Sequence, residues 1–280
     1  IRNTSRYLLA NLDGFDPDKD LVNPDDLLEL DAWILYKAKE MQVEILNAYE
    51  TFQFHQIYQK LHHFCVVILG NFYLDIIKDR IYTTQTDCIA RRSSQTVLYY
   101  IAHAFVRWIA PILSFTADEI WQYLPGQTKD SVFLDEWYTG IPELRNVQNE
   151  KWENIIQIRD EVSKVLAQLR SSEQIGAGLD AEVTVYCSGN YFDALLSIKD
   201  ELHFVLITSN AVVKPMDEKT DDAVETGISD VWINAVPSEH DKCVRCWHHQ
   251  EDVGNHSEHP ELCSRCIVNI DGNGETRNYA

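Results

Sequence analysis

The chain has 280 residues, 45% of them hydrophobic, which is enough material for a sizeable core and, at common domain sizes, for about two domains. Its formal net charge of −20 argues against a broad, sequence-blind embrace of nucleic acid, although a local contact stays open. The composition excludes a collagen-like, disordered or disulfide-stapled chain.

The first residue is Ile1 rather than Met, and it enters a helix-like stretch directly, as expected of a piece of a longer protein. Over 31–50, apolar residues recur at Ile34, Ala38, Met41, Ile45 and Ala48, which is one helical face. The pattern repeats at Ile57, Leu61, Phe64, Ile68, Phe72 and Ile76. A third face runs through Val97, Ile101, Phe105 and Trp108 and stops at Pro111. Thr116 and Glu119 predict a capping box for a short helix carrying Ile120 and Trp121. These helices, with short connections, predict an antiparallel helical bundle over residues 1–150, of which 125–149 is a turn-rich crossing segment. The most apolar stretch, 64–77, is broken by Gly70, Asn71 and Asp75 and falls short of a membrane span of roughly 20 residues. No secretory leader is expected.

A patterned helix follows over 151–171, ended by Gly176 and Gly178. The period then shifts to two at Val183, Val185 and Cys187, as in a half-buried strand. A helix at 192–202, a β-rich run at 204–213, an acidic loop at 217–225 and a last strand at 231–236 complete a small α+β module at 151–238. The fold class is thus mainly α, with this module and a cysteine-rich domain at 239–280 behind the bundle. Between Lys78 and Arg107 the local charge turns basic, through Lys78, Arg80, Arg91, Arg92 and Arg107. Such a run reads equally as a solvated helix face or as a local contact for nucleic acid.

Two CxxC pairs, Cys243 with Cys246 and Cys263 with Cys266, have the spacing C-x2-C-x16-C-x2-C of a two-knuckle zinc site. Four thiolates leave no open coordination position, so one structural zinc ion is expected, holding a segment too short to fold on apolar burial alone. Two redox CxxC pairs are the bland alternative, but the thioredoxin-like βαβ context is missing. His248, His249, His256 and His259 read as exposed loop residues. Trp247, directly after a ligand, either stacks on an unpaired base or packs over the knuckle as a miniature core. Cys65, Cys88 and Cys187 stand alone, a pattern that fits a reducing, intracellular location. No P-loop, Rossmann fingerprint, nucleophile elbow or H-E-x-x-H appears, so no catalytic residue is assigned.

The stretches 72–80 (FYLDIIKDR) and 107–121 (RWIAPILSFTADEIW) resemble the anticodon-binding bundle of class I aminoacyl-tRNA synthetases. Arg2-Asn-Thr-Ser-Arg6, the pair Arg91-Arg92 and above all 242–249 (KCVRCWHH), 259–266 (HPELCSRC) and 277–280 (RNYA) are similar to the bacterial isoleucyl-tRNA synthetase family, in its order and over the whole chain. One departure is Gly176-Ala-Gly-Leu-Asp180, where the family pattern leads to expect Ser-Leu-Glu after the small residues. The resemblance implies the part after the KMSKS motif, without the nucleotide-binding domain that would use ATP and Mg and without the editing domain. It implies a cytoplasmic monomer, working with an N-terminal catalytic domain in cis, that binds tRNA(Ile) while the full-length ligase attaches isoleucine. RNA contact is expected at Arg91, Arg92, Arg245 and Trp247. The zinc ending argues against valyl and leucyl relatives. A DNA-repair glycosylase finger would need a catalytic N-terminal proline and a helix-two-turn-helix that are not visible. A zinc-stabilised protein-interaction or DNA-binding module is the remaining alternative.

Overall fold

Apolar side chains at helical spacing build the first of two units, Ile1–Ile81 with Thr86–Val147, in a computed structural model that describes residues 1–280. Helix α1 (Arg2–Asn11) is followed by α2 (Glu29–Glu50), whose expected face at Ile34, Ala38, Met41, Ile45 and Ala48 is buried throughout. Helix α3 (Phe54–His63) runs into a π-helical segment, Phe64–Tyr73, and on through α4 (Leu74–Ile76) and α5 (Lys78–Thr83). The wider π turn shifts the buried register. Leu69 enters the core, and Ile68, expected there, is left half-buried. The run Phe54–Thr83 is long and apolar enough to cross a membrane, but half of its most apolar window is buried within the protein, as in a core helix.

Helix α6 (Ile89–Ile109) is the centre of the bundle, packed by α1, α2 and α7 (Ser114–Trp121). Its Trp108 is fully buried against Phe64 and Phe105, and the indole Nε1 donates to Gln42 Oε1 at 3.1 Å. The expected capping box at Thr116 and Glu119 does not form. The helix starts earlier, at Ser114, because the turn after Pro111 already supplies the Leu113 carbonyl to Ala117 N at 2.8 Å.

Much of the basic run is paired within the unit rather than displayed. Arg80 is buried and forks onto Asp31, which also accepts from the Tyr73 hydroxyl at 2.6 Å and from Ser93. Arg107 pairs with Asp135 between the rings of Trp121 and Tyr138, and Lys78 pairs with Asp75. Beside Arg107, burial pushes His103 down to about 4, while its Nε2 meets the Pro125 carbonyl at 2.8 Å.

The second unit comprises Tyr82–Gln85 and Gln148–Ala280, and it contains both segments expected as 151–238 and 239–280. Helix α8 (Asn149–Ser171) buries Ile155, Ile158, Val162, Val165 and Leu166. It ends before Gly176 and Gly178, and the left-handed residue in the turn is Glu173, at φ +59°. Strand β1 (Ala181–Cys187), helices α9 (Gly189–Ser197) and α10 (Leu202–Leu206), and strands β2 (Asn210–Pro215), β3 (Val224–Glu225) and β4 (Val231–Pro237) follow. The sheet order is β2-β1-β4-β3, with β1 and β2 parallel and the other pairs antiparallel. Residues 204–206, expected within a strand, are helical, and a left-handed turn at Ile207 separates them from β2. In the Gly176–Asp180 turn, the Asp180 carboxylate accepts from Gly176 N at 3.0 Å and Ala177 N at 2.8 Å. Burial opposes ionisation there, yet these amides and Lys242 hold the Asp180 carboxyl below its usual value. The chain closes with the cysteine loops and helix α11 (Ser264–Asp271).

Candidate metal centre and nucleic-acid interface

Two local devices bring the cysteines together. The first pair sits in a tight loop in which Cys243 N donates to the His248 carbonyl and Trp247 N to the Cys243 carbonyl, each at 2.9 Å. The second pair straddles the start of α11, whose N-cap is Cys263. Val244 N donates to the Glu261 carbonyl at 3.1 Å and Cys263 N to Cys243 Sγ at 3.4 Å, joining the two loops. All four cysteines are buried, with their sulfurs within 4.8 Å of one another.

A tetrahedral zinc with Zn–S near 2.3 Å sets neighbouring sulfurs about 3.8 Å apart. Cys246 Sγ and Cys263 Sγ lie 3.7 Å apart, so the cluster has the size for that ion. The sulfurs also feel one another strongly. Hydrogen bonds from the Cys263 and Cys266 thiols hold Cys246 well below its usual value. The same proximity to Cys246, together with burial, pushes Cys263 up and takes Cys266 to about 12. Holding all four as thiolates at such separations would require a cation among them. The donor set is all sulfur and complete at four, so the residues fit a closed structural zinc site. Val253 and Leu262 pack against the cluster as a small apolar cover.

The histidines divide differently from expectation. His248 is buried, 3% exposed, because its ring lies among Phe204, His203 and the knuckle, where it interacts with Cys246. His249 is half-buried, with Nδ1 at 2.7 Å from the His240 carbonyl and Nε2 at 3.3 Å from Asp180 Oδ1. His256 and His259 engage Ser264 and Asp271 and do not replace a cysteine.

Trp247 does not form a miniature core. It is 61% exposed, and its backbone is left-handed at φ +67°, a conformation that a bulky residue adopts only where its surroundings impose it. The knuckle therefore presents an indole to solvent. Arg245 is half-buried and donates through Nη1 to the Thr83 carbonyl at 2.6 Å, a tether within this unit that the sequence did not reveal. In the first unit, Arg92 pairs with Asp20 at 3.1 Å and donates to Gln95 Oε1 at 2.8 Å. Arg91 is half-buried, its Nε enclosed without a partner. Each unit thus holds one part of the expected set, Arg91 and Arg92 in the first and Arg245 and Trp247 in the second.

Residues 31–185 match the family described as the anticodon-binding domain of tRNA ligase, and 241–268 match the zinc finger found in FPG and IleRS. Similar relatives include isoleucine–tRNA ligases of Methylococcus capsulatus, 54% identical over 282 residues, and of Nitrosococcus oceani, 53% identical over 283. That of Alcanivorax borkumensis is 50% identical over 283 residues. All of this chain is covered in each case, but it spans only 30% of each relative's length. With an anticodon-binding match over more than half its length and a zinc-finger match on its cysteine cluster, the chain belongs to the anticodon-binding family of tRNA ligases.

Proposed function

We propose that this chain is the tRNA-reading part of an isoleucine–tRNA ligase, binding and positioning tRNA(Ile) for a catalytic domain elsewhere in the same protein. The observation that carries the reading is the exposed indole of Trp247, presented from a closed four-cysteine knuckle. A single-stranded loop base has an apolar face to stack on such a ring, and the contact tolerates any base. Zinc bound by Cys243, Cys246, Cys263 and Cys266 supplies rigidity only, because four sulfurs leave no position for water or substrate.

The arginines contribute phosphate contacts. Arg91 has no acidic partner, and the guanidinium groups of Arg92 and Arg245 keep N–H donors beyond those engaged with Asp20, Gln95 and Thr83. The net charge of −20 confines such contact to local faces. Formation of the aminoacyl adenylate from ATP, with Mg, belongs to the catalytic domain, and the setting is a cytoplasmic monomer.

The test is a fluorescence titration of the zinc-loaded chain with tRNA(Ile) and a non-cognate tRNA across a salt series. Trp247→Ala is expected to weaken tRNA(Ile) binding by about 1–3 kcal/mol while zinc stays at one per chain. An unchanged dissociation constant at fixed salt removes Trp247 from the reading. Binding confined to low salt, without preference between tRNAs, favours a zinc-stapled protein-interaction scaffold instead.

A further inference from the structure

Glu201 sits at the N-cap of α10, where a carboxylate ordinarily turns back to its own helix, but its side chain makes no capping bond. It reaches the far end of the chain instead. Its Oε1 accepts from Asn278 N at 2.7 Å, and its Oε2 from Tyr279 N at 3.0 Å and Ala280 N at 2.8 Å. A buried carboxylate satisfied by three successive backbone amides fixes the path of those residues closely.

The segment so captured is wired to the zinc knuckle. Arg277 is buried, donates through Nη1 to the Ala280 carbonyl and through Nε to Glu275, and lies over the Phe204 ring with Cζ 3.3 Å from its centroid. Glu275 also accepts from Arg265 Nη1 and Asn269 Nδ2, each at 3.1 Å, on the zinc-bearing helix α11. Arg265 covers Phe204 from 5.0 Å and reaches Thr83 Oγ1, on the residue whose carbonyl holds Arg245. The His248 ring, next to Trp247, meets Phe204 edge-on at 5.6 Å. Through Glu201 and Phe204 this network joins α10 to α11 and the zinc knuckle.

We propose that residues 275–280 are a clasp, closed by the Glu201 carboxylate, that sets the orientation of the zinc knuckle on the α+β module and thereby aims Trp247. Glu201 is a positioning residue and touches no RNA. The consequence for tRNA rests on the function proposed above, whereas the clasp itself does not.

Glu201→Gln keeps the shape but turns an amide NH2 toward backbone donors, so the clasp opens. In the zinc-loaded chain, hydrogen exchange at 278–280 and in α11 is expected to quicken by roughly tenfold or more, with β1 and β4 unchanged. The fluorine resonance of 5-fluorotryptophan at position 247 is expected to shift or broaden, with zinc at one per chain. Affinity for tRNA(Ile) is expected to fall. Faster exchange at 278–280 alone, with α11 and the Trp247 resonance unmoved, overturns the positioning role. A moved resonance with unchanged tRNA affinity upholds the clasp and removes Trp247 from RNA reading. Weak binding in Trp247→Ala beside a Glu201→Gln chain with unchanged resonance and affinity does the reverse. If Glu201→Gln loses sheet protection, Arg277→Lys decides. This variant keeps the charge but loses the fork and the stacked plane, and is expected to loosen α11 with the sheet intact. Unaltered α11 exchange in Arg277→Lys overturns the clasp.

Discussion

At the scale of single residues, the two units place ionisable groups where their charge has to be balanced from within. Asp31 satisfies this fully, with Arg80, Tyr73 and Ser93 around one carboxylate. His103 meets it the other way, by staying neutral. Burial takes it down to about 4 from the ordinary 6.5, with the Arg107 guanidinium adding to the effect, and Asp135 and the Pro125 carbonyl opposing it. Because the folded value lies below the unfolded one, the stability it contributes is complete above pH 6.5 and is lost as the pH falls toward 4. The difference is worth about 3 kcal/mol at the conversion of 1.36 kcal/mol per unit. Urea unfolding of the wild type and of His103→Gln is therefore expected to converge between those pH values. Carboxylates titrating in the same window cancel in the comparison. A wild-type-minus-variant difference that is flat with pH counts against the burial argument.

At the scale of elements, the π-helical turn at Phe64–Tyr73 has a definite steric requirement. A Cβ on Gly70 would stand 2.9 Å from the Cys65 carbonyl oxygen, a backbone atom that cannot swing away. Gly70→Ala is expected to lower stability by about 1 kcal/mol or more, read as an earlier urea midpoint with an unchanged slope. An unchanged midpoint would show that the turn yields freely. The same turn marks where periodicity ceases to be informative. A spacing of 3.6 residues places Ile68 inside, and one wider turn moves Leu69 there instead. The faces of α2 and α6 were legible because nothing interrupts their period. Residues 204–206 read as strand because their β-branched and aromatic side chains suit a sheet, but the left-handed Ile207 breaks the run before pairing begins. The cysteine ligands were legible from spacing alone, since the chemistry of the site is local in sequence. The tether of Arg245 to Thr83 spans 162 positions, and no local pattern announces it.

At the scale of the whole molecule, the cysteine-rich segment is expected to depend on metal and the helical unit to hold without it. Val253 and Leu262 are the partly buried apolar side chains packed against the cysteine cluster, a small cover, so ion binding and folding of this segment are expected to be one process. A strong chelator is expected to remove one zinc per chain and erase amide protection over 239–280, leaving the first unit protected. Hydrogen exchange followed by mass spectrometry reads both regions together, and persistent protection at 239–280 after metal loss would count against a structural ion. The acidic total, legible at once, did not reveal how little basic surface remains after Arg80 and Arg107 are buried in pairs. Composition counts charges but does not say which are already neutralised.

The second unit is discontinuous, joining Tyr82–Gln85 to Gln148–Ala280, and its clasp uses the last three amides of this sequence. During synthesis, Thr83 emerges from the ribosome long before the Arg245 and Arg265 side chains that engage it, and Glu201 waits unpaired for residues 278–280. The helical unit can settle as it is made, whereas the half that carries the zinc knuckle is completed only after residues 275–280 have been made.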